Sequence, residues 1–248
     1  MPARSIDEVI AHLDETIARS RREQSRLGYF AVLYRNVTVK VKEGIQSGSF
    51  EDGARMERLD VNFANRYLDA LESHRRGEPA SLCWQVSFRA AERWPPIVLQ
   101  HLLLGINAHI NLDLGVAAAE TSPGDGLSGL QKDFDSINQI LCAMLDDVQN
   151  RLALVSPWMT LLDRVGCRTD EAIMNFSINR ARLAAWPVAL RLATLAGEER
   201  EAEIRRLDRR VALFAQVIQY PPVSIRLANF LVRITESRDV SKIIDVLT

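Results

Sequence analysis

The sequence predicts an all-α fold: a compact single-domain bundle of helices around a buried central helix at about 96–119. Apolar residues recur at every third or fourth position along almost all of the 248 residues, which is the period of an amphipathic helix. The chain shows neither a sustained alternation of apolar and polar residues nor an Asn-Gly turn, the two signals of a β-hairpin. We find no internal repeat and no Gly/Ser-rich linker, so we expect one domain over residues 1–248.

Four helices are predicted in the first 95 residues. Ser5 and Glu8 form a Ser-x-x-Glu capping box just before an apolar stripe, a pattern typical of a helix N-terminus. The third helix is expected to stop near Gly77, and the fourth before Pro95 and Pro96, because proline cannot continue a helix. After the first helix, the other three are expected at about 29–46, 53–73 and 80–93.

The fifth helix runs from Pro96 to about Glu120 and is apolar on nearly all sides. Its length, roughly 36 Å at 1.5 Å per residue, would span a bilayer. Polar side chains would be very costly in hydrocarbon, however, so we expect a buried central helix and no membrane span. Those side chains belong to Gln100, His101, Asn107, His109, Asn111 and Asp113.

The second half of the chain also has helical periodicity. The densely charged stretch 198–210 mixes both signs, which indicates a solvated helix face. Pro221 and Pro222 separate this helix from two closing helical segments. Before it, we expect a long amphipathic helix at about 127–155, a shorter one that begins at Ser156-Pro157, and one capped by Thr169 that kinks or breaks at Pro187.

The overall composition argues against several classes of partner. The formal net charge is -1, with 31 basic and 32 acidic residues, so no excess of positive charge predicts binding to nucleic acid or to an anionic membrane. The three cysteines have no CxxC spacing, which disfavours a disulfide framework and a cysteine zinc site. The polar first 24 residues do not resemble a secretory signal. We therefore expect a cytoplasmic protein, and the sequence leaves its oligomeric state open.

Polar residues on the central helix fall into two rows on a helical wheel. One row contains Gln100, Asn107 and Asn111. The other advances in steps of four residues and contains His101, His109 and Asp113 along with Gly105. Buried polar groups without partners cost roughly 1 to 3 kcal/mol each. Other helices must therefore supply donors and acceptors.

Polar residues of three other helices are expected to meet the central helix. Asp60 and Tyr67 lie on the apolar face of the third helix, and Arg180 lies on the apolar face of the helix after Thr169. Such a network would either fix helix register or line a pocket. We favour a pocket for a small molecule, because so many polar groups are an expensive way to fix register. Its predicted substrate-binding residues are Gln100, Asn107, Asn111, Asp60, Tyr67, Asp133, Asn138 and Arg180.

Acid–base catalysis on a largely apolar substrate is the favoured chemistry, with His101, His109 and Asp113 as the catalytic residues. The first alternative is a divalent metal ion bound by His109 and Asp113, four residues apart on one helix face, with Asp60 and Asp133 as further ligands. His101 lies about 12 Å from His109 along the axis, too far to share that ion. The second alternative is a helical binding or interaction protein without catalytic activity.

Three segments resemble a family of bacterial and fungal proteins known as domain of unknown function 5995. They are RMERLDVNFANRYLDAL (residues 55–71), QHLLLGINAHINLDL (residues 100–114) and DFDSIN (residues 133–138). The resemblance implies a compact helical protein with no established activity. The family motif corresponds here to Asp60, His101, His109, Asn111, Asp113, Asp133 and Asn138.

Overall fold

The computed structural model describes residues 1–137, 140, 151, 154 and 185–248 of the chain. These residues form helices and connecting turns, and none of them belongs to a strand. The predicted all-α class is therefore confirmed. Most of the predicted helix at 127–155, the predicted helices between 156 and 184, and the site residues Asn138 and Arg180 lie outside the described residues.

The helices closely follow the predicted order. Four precede the central helix: α1 Ile6–Glu23, α2 Leu27–Gln46, α3 Gly53–Arg75 and α4 Leu82–Ala91. The central helix comprises α5 Val98–Ala108, a π-helical segment His109–Leu114 and α6 Gly115–Thr121, and a 3-10 helix Gly124–Leu130 follows it. Residues 131–137 and 185–193 are helical, and the chain closes with α7 Gly197–Gln219, α8 Val223–Thr235 and α9 Val240–Leu247.

The helix ends show the expected local chemistry. Ser5 Oγ accepts a hydrogen bond from the Glu8 backbone N–H at 3.2 Å, as the predicted capping box requires. The Glu8 carboxylate accepts from the Arg4 N–H, one residue before the N–H that such a box normally uses. Gly77 has φ +74°, a left-handed conformation that ends α3 where the sequence predicts its end.

The central helix is enclosed by protein. Every residue from Val98 to Ala108 is buried. The stretch Val98–Thr121 is long and apolar enough to cross a membrane, with a mean hydropathy of 1.4 over an 18-residue window, but 89% of that window is buried inside the protein. This burial is the behaviour expected of the core helix that the sequence predicts. The π-helical turn at residues 109–114 was not predicted, because the wheel assumed a uniform α-helix.

The other helices surround this core element. Helices α2, α4 and α7 pack along α5, whereas α3 packs along the π-helical turn and α6. Helices α1 and α9 pack against each other and against the outer side of α2. One apolar core joins side chains from α1 through to α9. The site on the central helix is therefore reached by side chains of α2, α3 and α4.

Buried carboxylates from distant segments hold the N-termini of three helices. Each accepts hydrogen bonds from backbone N–H groups that have no partner within their own helix, and its negative charge is favourable beside the positive end of the helix dipole. These contacts tie together segments that are far apart in sequence. Asp133 accepts from Glu51 and Asp52 (2.6 and 3.2 Å), Asp208 from Leu82 and Cys83 (2.7 and 3.0 Å), and Glu236 from Val98 (3.1 and 3.2 Å).

Gly105 allows α2 to approach the central helix closely. A Cβ atom at this position would lie 2.4 Å from Cδ2 and 2.5 Å from Cγ of Phe30. We expect Gly105→Ala to destabilise the protein by about 1 to 3 kcal/mol, because the Phe30 ring must move within a packed core. Chemical denaturation followed by circular dichroism measures this change.

The matched control is Gly126→Ala, where an added Cβ would meet no atom within 4 Å. This variant should unfold close to wild type. Equal stability of the two variants would contradict the close approach of Phe30 to the central helix.

Candidate functional site

Asp113 is the hydrogen-bonding centre of the buried polar network. Its Oδ2 accepts from Trp84 Nε1 at 2.8 Å and lies 3.2 Å from His109 Nδ1. Its Oδ1 accepts from Arg66 Nε at 3.1 Å. Asp113 and His109 are each only 2% exposed. The Arg66 charge and the two ring N–H groups together offset the cost of burying this carboxylate.

The π-helical turn holds His109 and Asp113 side by side. Both residues lie within His109–Leu114, where the wider turn replaces the regular α-helix. Such turns occur frequently at functional sites. With Nδ1 as the donor to Asp113, the neutral imidazole presents Nε2 as an acceptor.

Aromatic rings enclose the His109 imidazole. Phe63 stacks on it with centroids 3.5 Å apart, and Tyr34 meets it edge-on at 4.4 Å. Phe30, Trp84 and Tyr67 complete the wall at 5.7, 6.0 and 6.1 Å. Burial among these rings lowers the pKa of His109 more than the hydrogen bond and charge of Asp113 raise it. The imidazole is therefore neutral near pH 7.

Three buried polar atoms around this wall have no hydrogen-bond partner among the described residues. They are His109 Nε2, Tyr34 Oη and Asp60 Oδ2, from the central helix, α2 and α3. Burial raises the pKa of Tyr34, and the negative charges of Asp60 and Asp113 add to this effect, so both carboxylates lie within electrostatic range of the phenol. The nearby Thr38 side chain lowers this pKa but does not reach hydrogen-bonding geometry with Tyr34 Oη. Each orphaned group costs roughly 1 to 3 kcal/mol. Such a cost is typical of a site that a ligand completes.

Asp60 differs from the other buried carboxylates. Five carboxylates are buried among the described residues; three cap helices and Asp113 binds side chains. Asp60 Oδ2 has no such partner. Burial, and secondarily the charge of Glu57, raises the pKa of Asp60 from 3.8 to about 7. The side chain is therefore poised between its acid and carboxylate forms near neutral pH.

The geometry does not support the predicted metal site. Among the described residues, no group of three His, Cys, Asp or Glu side chains is arranged to hold an ion. Asp113 is already engaged by Arg66 and Trp84. Asp133, one of the predicted ligands, caps α3 and binds Arg55 at 3.1 Å.

A family profile described as "Family of unknown function (DUF5995)" matches residues 6–221. The chain belongs to this family. No curated protein and no solved structure matches it significantly.

The matched range of this DUF5995 protein contains every residue of the site described above. Helices α8 and α9 lie beyond residue 221 and are not part of the family match. The family resemblance therefore supports the fold and leaves the reaction open.

Two of the predicted catalytic and binding residues contact His109 in the DUF5995 site. Asp113 binds it directly, and Tyr67 contributes to the ring wall. Asp60, the unpartnered carboxyl, lies within electrostatic range of Tyr34. Burial also raises the pKa of Tyr67.

His101 lies apart from His109 and contacts a different set of side chains. Its ring meets Tyr29 edge-on at 5.8 Å. Burial, together with the charges of Arg26 and Arg233, lowers the pKa of His101 to about 3, although a hydrogen bond that the ring donates to the Pro96 carbonyl acts in the opposite direction. This neutral imidazole belongs to the N-terminal end of the central helix. The structure therefore gives the two histidines different neighbours, and the predicted catalytic role of His101 stays a prediction.

The amide residues of the central helix bind backbone carbonyls of α7 and each other. Gln100 Nε2 donates to the Ile218 carbonyl at 2.8 Å, and Asn107 Nδ2 donates to the Val211 carbonyl at 3.1 Å. Asn111 Nδ2 donates to Asn107 Oδ1 at 2.8 Å. These contacts join α5 to α7, on a side where the prediction placed a substrate. A role in fixing how the helices pair therefore describes Gln100, Asn107 and Asn111 better than a role in binding a substrate.

Five residues of the site were not predicted to belong to it: Phe30, Tyr34, Phe63, Arg66 and Trp84. Phe63 lies one helical turn after Asp60 on α3, and Arg66 supplies the positive charge beside Asp113. A signal for Tyr34 exists in its spacing of four residues from Phe30, which places both on the same face of α2. No local pattern indicates that Trp84, 29 residues before Asp113, donates to it.

Replacing Asp60 by Asn should change how stability depends on pH. A carboxyl whose pKa rises from 3.8 to about 7 on folding binds more protons in the folded state, so its contribution to stability falls as the pH increases between these values. Above pH 7 the burial cost reaches on the order of 4 kcal/mol. We expect Asp60→Asn to be more stable than wild type at pH 8 and nearly equal to it at pH 4.5, in urea titrations at both values.

Asp125→Asn, at an exposed position, serves as the control and should follow wild type at both pH values. A destabilised Asp60→Asn variant at pH 8 would mean that the carboxylate is a structural acceptor in the folded protein.

Proposed function

We propose that this protein is an enzyme that acts on a small, largely apolar molecule by acid–base catalysis at His109. The single observation that supports this proposal is the unpartnered Nε2 of a His109 imidazole that Asp113 holds and aromatic rings enclose, with the unpartnered Tyr34 Oη on the adjoining ring. Native proteins rarely leave buried polar atoms without partners. A bound molecule with a hydroxyl or carbonyl group would satisfy them.

His109 would act as the general base. Its Nε2 is the acceptor, and a neutral imidazole at pH 7 is ready to take a proton. Asp113 would orient the ring through Nδ1 and stabilise the imidazolium that forms. Arg66 and Trp84 hold Asp113 in place and would act as positioning residues.

Asp60 would act as the complementary acid. Its pKa of about 7 leaves part of the population protonated at neutral pH, whereas the lowered pKa of His109 favours its basic form. Two titratable groups whose environments shift their pKa values in opposite directions are typical of an acid–base pair. Tyr34 Oη would donate a hydrogen bond to a substrate oxygen, because burial and nearby carboxylates keep the phenol protonated.

Incubation with a small-molecule extract in D₂O tests the reaction. We expect mass spectrometry to find low-polarity compounds that are consumed, or that gain deuterium, with wild-type protein only. His109→Asn should reduce the rate by at least about 100-fold, because its amide cannot transfer the proton. Its thermal melt should stay close to that of wild type, since catalytic residues often contribute little to stability.

His12→Asn, far from the site in sequence and on α1, is the control and should retain wild-type turnover. Conversion at wild-type rates by His109→Asn would refute the proposed role. Binding without turnover by wild-type protein would favour the non-catalytic alternative. If the melting temperature of His109→Asn falls by many degrees and no compound is bound or converted, the polar network around His109 has a structural role instead.

A further inference from the structure

The outer surface of α7 and α8 carries a set of exposed apolar side chains, which we name the C-terminal apolar face. Their exposed fractions run from 44% to 72%. Contiguous apolar surfaces of this kind are uncommon on soluble monomers and mark sites of association. The face consists of Leu213, Phe214, Val217, Tyr220, Val223, Leu227, Phe230, Leu231 and Ile234.

Helix α8 supplies most of this face. Val223, Leu227, Phe230 and Ile234 follow one another at intervals of four, three and four residues, so they form one stripe. On the opposite side of α8, Val232 is buried and anchors the helix to the core. The stripe is therefore directed away from the protein interior.

The end of α7 and the start of α8 meet at a cleft of about 270 Å³. Trp94, Tyr220 and Phe230 line it, so aromatic side chains from the end of α7 and from α8 come together at this cleft. Arg93 donates to Tyr220 Oη and lies 5.9 Å above the centre of its ring. Aromatic residues beside arginines are typical of proteins at a lipid–water interface.

The exposed charged side chains from residue 205 to residue 238 are all arginines, and the exposed Asp239 follows directly. From residue 205 to residue 238, the only carboxylates are Asp208 and Glu236, and both are buried and cap other helices. One exposed arginine, Arg206, pairs with Glu203. The remaining exposed arginines form no ion pair with a described residue: Arg205, Arg209, Arg210, Arg226 and Arg238. A net charge of -1 for the whole chain conceals this basic region.

An anionic lipid surface matches both the exposed apolar side chains and the exposed arginines. In a symmetric pair of chains, the same arginines would face their own copies, and no acid within residues 205–238 is exposed to pair with them. A bilayer that contains anionic lipids offers hydrocarbon to the apolar stripe and negative charge to the arginines. We infer that the C-terminal apolar face binds the surface of anionic membranes, with α8 lying in the plane of the interface. This binding site is separate from the site at His109.

Vesicle sedimentation of the full chain tests this inference. We expect binding to vesicles of phosphatidylcholine mixed with phosphatidylserine, weakened by salt, and little binding to pure phosphatidylcholine. Leu227→Gln should weaken binding by about tenfold or more, because a buried leucine is lost from the interface. Arg226→Gln should weaken it by about fivefold.

Two controls lie outside the face. Leu190→Gln replaces a leucine that is 46% exposed, and Arg22→Gln replaces an exposed arginine of α1. Both should bind like wild type, and all four variants should keep the helical circular dichroism of the wild-type protein.

Several results would overturn the inference: no binding to either vesicle, equal binding to both, or equal losses in the controls and the face variants. Size-exclusion chromatography with light scattering measures the molar mass and so tests whether a second copy of the chain covers the face. A stable dimer that Leu227→Gln dissociates would show that a second copy covers the face instead.

Discussion

A buried carboxylate must find hydrogen-bond donors, and this requirement organises the protein. Asp133, Asp208 and Glu236 find them at the N-termini of α3, α4 and α5, each from a distant part of the chain. Asp113 finds them in the side chains of Trp84, Arg66 and His109. Because each contact would leave a costly unpaired charge if broken, the packing of the helices is specified by polar contacts as well as by the apolar core.

Asp60 is the exception, because its Oδ2 accepts no hydrogen bond from a described residue. This unpartnered carboxyl is the group to which the proposed function assigns the role of an acid. Its burial is a cost to the folded protein that no hydrogen bond to Oδ2 offsets. Tyr34 Oη and His109 Nε2 carry similar costs in the same aromatic surroundings. Destabilised groups that collect in one place are typical of sites where function has been retained at the expense of stability.

The two ends of the central helix have different roles. At its N-terminal end, Glu236 accepts from Val98 and pairs with Arg233 at 3.1 Å, and Arg233 donates to the Trp94 carbonyl at 2.7 Å. This arrangement anchors α8 to the core and leaves its apolar stripe outward. The π-helical turn in the second half brings His109 and Asp113 together. The proposed catalytic site and the proposed membrane face are thus attached to one rigid element.

The sequence by itself determined the helical class, the buried central helix and the ends of α1 to α4, because apolar period, caps, prolines and glycines act over a few residues. It also identified Asp60, His109 and Asp113 as buried polar residues, since each lies on an apolar helix face. Only the tertiary structure decided their partners. Arg66 and Trp84 reach Asp113 from 47 and 29 residues away, and the different neighbours of His101 and His109 depend on which helices pack at each end. The exposed charge of the apolar face was decided in the same way: residues 205–238 contain seven arginines and two acids, and both acids are buried as caps of distant helices, so that packing leaves only arginines exposed in this stretch.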